Sequence, residues 1–158
     1  MIVIVMGVSG AGKTTVASEL ARELRWKYLD ADSFHSAHNI AKMQAGIALD
    51  DADRAPWLAA LRGVIEEALS KKQSLVLACS ALKESYREQL LVSSAVRLVY
   101  LKASFELLRE RLEQRTGHFV DERLLVSQLE TLEEPRDAIA VDAGQAVTDI
   151  VAEIRRLL

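Results

Sequence analysis

The stretch "IVIVMGVSGAGKT", Ile2 to Thr14, limits the possible fold more than any other part of the chain. A short apolar run passes directly into G-x-x-x-x-G-K-T, and the following "TVASELAREL" carries helical periodicity. Strand, glycine-rich loop and helix in that order are the context in which this pattern cradles phosphate. Gly7, Gly10 and Gly12 let backbone N–H groups turn inward around an anion where a Cβ would intrude. The helix start adds free N–H groups and its dipole. Lys13 is suited to reach the β- and γ-phosphates, and the Thr14 hydroxyl suits Mg²⁺. With Val8, Ser9, Ala11 and Thr15 completing the cradle, the chain is expected to bind a nucleoside triphosphate.

Further along, short apolar runs alternate with longer amphipathic ones. Ile2–Met6, Lys27–Leu29, Ser74–Cys79, Val96–Leu101 and Ala138–Val141 read as strands, most of them nearly continuous in apolar side chains. Continuous rather than alternating runs belong to parallel strands covered on both faces. Helical patterns lie between them. In Ser104–Arg115, Phe105, Leu108 and Leu112 share a face behind a Ser104 cap. Another runs over Pro56–Lys71, with Pro56 expected in the first turn, where its missing N–H costs little. This order predicts an α/β protein with an open parallel sheet, whose ligands collect beyond the carboxyl ends of the strands.

Composition narrows the function. A chain of 158 residues, half of them hydrophobic, fits one domain, residues 1–158, with a single core, and no linker interrupts it. The net charge of −3 argues against holding nucleic acid on a basic face. Cys79 is the only cysteine, so no internal disulfide forms and a reducing compartment is expected. The first apolar run has no basic flank and is far shorter than the ~20 residues of a membrane span. A soluble cytoplasmic protein that needs no membrane is therefore expected. Asn39 is the only asparagine, which excludes an Asn-Lys-x-Asp guanine reader. The third strand ends "LACSA", without an acidic metal residue, and a compact phosphotransferase remains.

"YLDADSFHSAHN", Tyr28 to Asn39, follows at the tip of the second strand. Asp30 and Asp32 should face the same crevice as the phosphate loop. Asp32 is the candidate base or orienter for an attacking hydroxyl, and Asp30 the candidate partner of a magnesium-bound water. Each is also a good helix cap or loop carboxylate. His35 and His38 lack the H-E-x-x-H pairing of a zinc site, so the cluster reads as a substrate surface.

"GVSGAGKTT", "DADSFH", "HNIAKMQAG", "LDDADRAPWL", "CSALKESYR", "YLKASFELLRERLEQRTGHF" and "SQLETLEEP" together resemble the gluconokinases of the P-loop small-molecule kinase superfamily, from Met6 to about Pro135. Ser36 stands where that family commonly has proline, and the family's proline near Ala48 is also missing. The resemblance implies a three-layer P-loop kinase fold with a five-stranded parallel sheet, a substrate cap at about 33–70 and a lid at about 115–122. It also implies ATP- and Mg²⁺-dependent phosphorylation of D-gluconate at its 6-hydroxyl, in an enzyme whose relatives are often homodimers.

A small polyhydroxy anion needs a cationic clamp and mixed donors and acceptors. Arg54 is the expected clamp, stiffened by Pro56 and Trp57, although a surface pair with Asp50 or Asp51 fits its spacing too. Lys83 and Arg87, one helical turn apart, are expected to share a face at the crevice, or to be solvated. His35, His38 and Lys42 would add further contacts. Arg111 and Arg115, on the family pattern, would fold over the β- and γ-phosphates, with His118 travelling on the lid. A pair of Arg111 with a helix carboxylate is the alternative.

Overall fold

The computed structural model describes residues 1–114 and 122–158; the expected lid, with Arg115 and His118, falls almost wholly outside them. Five parallel strands form one sheet: β1 (Ile2–Met6), β2 (Lys27–Asp30), β3 (Leu75–Ala78), β4 (Val96–Lys102) and β5 (Ile139–Asp142), in the order β2-β3-β1-β4-β5. The described helices are α1 (Lys13–Leu24), α2 (Ala37–Gln44), α3 (Asp51–Ser70), α4 (Glu84–Leu90), α5 (Phe105–Gln114), α6 (Glu122–Thr131) and α7 (Val147–Leu157).

The unbroken apolar runs are explained by cover on both faces. Val3 and Val5 of β1 pack with Val16, Leu20 and Ile150 of α1 and α7, while Ile2, Ile4 and Met6 pack with Leu58, Leu61 and Ile65 of α3. All five β1 residues are buried, so polar substitution at any of them would be costly. β1 is central, pairing β3 on one side and β4 on the other. The connections therefore diverge at its carboxyl end, where a crevice must open.

Helix α3 differs from expectation at its start. It begins at Asp51, not near Pro56, because Asp50 and Asp53 form a capping box across its first turn. Pro56 thus lies inside the helix. Trp57, Leu58, Leu61, Ile65 and Ala68 of α3 join the core, so this helix belongs to the main body. Between residues 33 and 50 only Asn39 and Leu49 are buried. Ser36 caps α2 by accepting from the Asn39 N–H at 3.2 Å, a role proline could not fill. Among the described residues, no helix is long and apolar enough to cross a membrane.

Candidate active site

The phosphate loop bridges β1 and α1. Gly12 caps α1 at φ +97°, a left-handed conformation that L side chains rarely adopt. Lys13 is half-buried and its ammonium donates to the Val8 carbonyl at 3.2 Å, which bends the side chain back over the loop. Thr14 and Thr15 are exposed at the helix start.

Asp30 ends β2 next to this loop. Its Oδ2 accepts from the Thr14 hydroxyl at 3.4 Å and from the Tyr28 hydroxyl at 3.3 Å. Its Oδ1 accepts from the Asp32 N–H at 2.9 Å, capping a 3-10 turn over Ala31–Phe34. Thr14 and Asp30, the expected metal pair, are therefore brought together, and hard oxygen donors of this kind suit Mg²⁺. The turn leaves Asp32 exposed beside Ser9, Lys13, His35 and Arg54 in one cavity of about 140 Å³.

His35 is fixed by two contacts. Its ring stacks on Trp57 with centroids 4.3 Å apart and an interplanar angle of 12°. Trp57 is anchored in turn by donating from Nε1 to the Ala31 carbonyl at 2.7 Å. The Asn39 side-chain amide donates to the Asp53 carbonyl at 2.8 Å and lies 3.2 Å from His35 Nδ1. A carbonyl only accepts, so that nitrogen is the amide N and offers its second hydrogen to Nδ1. His35 is thereby assigned as the Nε2–H tautomer. Burial lowers its pKa, Arg54 adds to this and Asp32 opposes it, so a neutral ring is favoured.

Arg54 also lines the cavity. Its Nη1 donates to the Leu49 carbonyl at 2.6 Å and to the Tyr86 hydroxyl at 3.2 Å, and its guanidinium lies 5.3 Å from the Tyr86 ring centroid. Neither Asp50 nor Asp51 pairs with it among the described contacts. Tyr86 donates to Asp51 Oδ1 at 2.5 Å, and Lys83 reaches the same oxygen at 3.1 Å. Lys83 therefore faces Asp51 and does not line the cavity.

Arg87 does not point the way Lys83 does. Lys83 is the extended N-cap of α4, with φ −100° and ψ 145°; its carbonyl accepts from the Arg87 N–H at 3.2 Å, but the two side chains go to different partners. Arg87 is buried, donating to the carbonyls of Ala81 at 2.8 Å, Leu82 at 3.1 Å and Glu133 at 2.8 Å. It ties α4 to the segment after α6, with its guanidinium engaged by main-chain carbonyls and not lining the cavity that holds Asp32 and Arg54. His38 and Lys42 also turn elsewhere: both converge on Asp53, at 3.4 Å and 2.6 Å, outside the cavity. The Lys42 ammonium, with the Asp50 N–H, holds the Asp53 carboxyl down at about 2.

Arg111 lies against the other side of the loop. It donates to the carbonyls of Gly10 at 2.9 Å, Ala11 at 3.1 Å and Ala143 at 2.6 Å. Together with Gly12, Thr15, Ala143 and Gln145 it lines a second cavity of about 280 Å³. In place of the alternative, a helix ion pair, Arg111 staples the phosphate loop to the turn after β5. Sequence reasoning gave no role to Tyr86, Asn39 or Gln128. Gln128 lay within "SQLETLEEP", part of the family resemblance, and in the structure it contacts Ser9.

Residues 2–135 match the family model described as an AAA domain. A gluconokinase of Gluconobacter oxydans is 46% identical, over 95% of this chain and 86% of its own length. The thermoresistant gluconokinase of Escherichia coli is 41% identical, over 96% and 89% respectively. This chain belongs to the gluconokinase family. The family fold is shared with the crystal structure of a gluconokinase from Sinorhizobium meliloti, at a TM-score of 0.86 and 43% identity, covering 98% of this chain and 91% of that one. Family membership makes this a kinase, with a parallel-sheet P-loop fold.

Proposed function

We infer that this protein phosphorylates D-gluconate at its 6-hydroxyl with ATP, giving 6-phosphogluconate and ADP. The observation that carries the reading is one cavity in which Ser9 and Lys13 of the phosphate loop meet Asp32, His35 and Arg54. A donor phosphate, an acceptor base, a neutral hydrogen-bond donor and a cation are the groups that a sugar-acid kinase requires.

In this reading Arg54 holds the carboxylate of gluconate and His35 donates from Nε2 to a hydroxyl along its chain. Asp32 accepts the proton of the 6-hydroxyl as that oxygen forms a bond to the γ-phosphorus. The bond from phosphorus to the β–γ bridging oxygen breaks, and ADP leaves with the electron pair. Lys13 stabilises charge on the transferring group. Thr14 and Asp30 would hold Mg²⁺, which would supply neutralisation of charge on the triphosphate. The cavity beside Arg111 seats the nucleoside, and Arg115 and His118 close over the reacting groups as a lid. The cytoplasm is the setting, where the lone Cys79 stays reduced, and a homodimer is the assembly that accompanies the family resemblance.

ADP release measured across gluconate, other sugar acids, shikimate and nucleoside monophosphates tests the reading. Gluconate should give the highest kcat/KM of the set. Preference for shikimate or a nucleotide would replace it.

A further inference from the structure

Gln128 makes a two-point contact with the phosphate loop across 119 residues of sequence. Its Oε1 accepts from the Ser9 N–H at 2.7 Å, and its Nε2 donates to the Ser9 hydroxyl at 2.9 Å. The carboxyl end of its helix is held firmly. Just beyond α6, the Glu133 N–H donates to the Leu82 carbonyl at 2.8 Å, and the Arg87 guanidinium donates to the Glu133 carbonyl at 2.8 Å.

The loop at Ser9 has a conformation that needs such support. The Ala11 N–H donates to the Val8 carbonyl at 3.1 Å, closing a turn with Ser9 and Gly10 at its centre. Gly10 has φ +87°, whereas Ser9 is not among the positive-φ residues. Negative φ followed by positive φ defines a type II turn. Rotating its central peptide, Ser9 to Gly10, would convert it toward type I and reverse the direction of the Gly10 N–H. Gly10 lies in the loop that must point N–H groups at phosphate. By gripping Ser9 at both its N–H and its hydroxyl, Gln128 opposes that rotation from the acceptor side.

We propose that Gln128 is a positioning residue for phosphoryl transfer, acting through Ser9 to hold the Ser9–Gly10 peptide in its phosphate-binding orientation. This deepens the kinase reading above and rests on it for its kinetic consequence, but the orientation of the peptide can be observed without any acceptor. Gln128 also lines the cavity that holds Asp32 and Arg54, but both polar atoms of its side chain are engaged by Ser9, so its effect passes through the loop.

The test uses the full chain as wild type, Gln128→Ala, Ser9→Ala and the double variant. Gln128→Ala should lower kcat roughly 10- to 100-fold, the penalty of a small misplacement of reacting groups. KM for gluconate and the thermal unfolding midpoint should change little. Ser9→Ala keeps the N–H contact and should have a smaller effect, and the double variant should be no worse than Gln128→Ala, because both act through one contact. With ADP bound and no acceptor present, the Gly10 amide resonance in a ¹⁵N-labelled sample should be displaced or split in Gln128→Ala. An unchanged Gly10 resonance, wild-type kcat, multiplying effects in the double variant, or a kcat loss that tracks unfolding would each overturn the proposal. Failure of the wild-type chain to use gluconate would remove the substrate assignment and leave the resonance test standing.

Discussion

At the scale of single residues, the cavity depends on side chains whose geometry is set by partners outside it. Arg54 is aimed by Leu49 and Tyr86, and His35 by Trp57 and Asn39. Replacing Arg54 by alanine should raise KM for gluconate roughly 10- to 100-fold, the value of a charged hydrogen bond, while KM for ATP stays near its original value. Initial-rate measurements with each substrate varied in turn decide this, and equal changes in both would place the clamp elsewhere. Asp32→Asn should instead act on rate, lowering kcat by about 10²- to 10⁴-fold with gluconate KM little affected. Single-turnover phosphorylation of bound gluconate is the direct readout. Asp32 and His35 could be read from their place just past the tip of β2, and Arg54 from the "LDDADRAPWL" block; the structure brings all three into one cavity. Sequence proximity did not identify Tyr86 or Gln128, whose partners Asp51 and Ser9 lie 35 and 119 residues away. Contacts at such separation follow from topology, which no local pattern encodes.

At the scale of elements, the acidic start of α3 is a mechanical joint. Asp50 caps the helix, and Asp53 returns the bond to the Asp50 N–H while accepting Lys42 from α2. The Asp53 carboxyl is held well below its ordinary 3.8, at about 2, chiefly by Lys42. A carboxyl lowered on folding adds stability that is fully present above its unfolded value and is lost as pH falls through the folded one. The joint should therefore hold above about pH 4 and loosen progressively toward pH 2. Amide exchange at residues 37–53, followed from pH 5 to pH 2.5, should rise earlier than exchange in β1. Simultaneous rise would assign acid sensitivity to the whole fold. Asp50→Ala should cost about 1 kcal/mol of stability as a lost N-cap, read by denaturant unfolding. The sequence "LDDADRAPW" contains this box, but proline drew the expected helix start to itself. Aspartate in the third position of the helix can replace the glutamate of the usual pattern, and that substitution hid the signal. The strands were easier to read, since apolar runs covered on both sides leave a strong trace.

At the scale of the molecule, β1 sits at the centre with a helical layer on each face, and the reactive loop is rooted in the most deeply buried strand. Cys79 shows how tightly this interior is closed: its thiol is fully buried and pushed up to about 12 by desolvation. The folded protein should resist alkylation by iodoacetamide at pH 8, and labelling should proceed only as fast as the chain opens globally. Mass spectrometry across a urea series tests this, and prompt labelling without denaturant would reveal a local opening at β3. The parallel order was predictable from alternating runs, whereas the meeting of distant turns at one end of the sheet required the strand order β2-β3-β1-β4-β5. Arg111 joins the turn at Gly10 and Ala11 to Ala143, so the cavity beside it, proposed above to seat the nucleoside, draws its walls from both the beginning and the far part of the chain. During synthesis, a ribosome-tethered copy would carry its glycine loop for most of translation without the far wall of that cavity. Chemistry would begin only once Ala143–Ile150 had emerged, so unfinished chains would stay silent toward the cell's ATP pool.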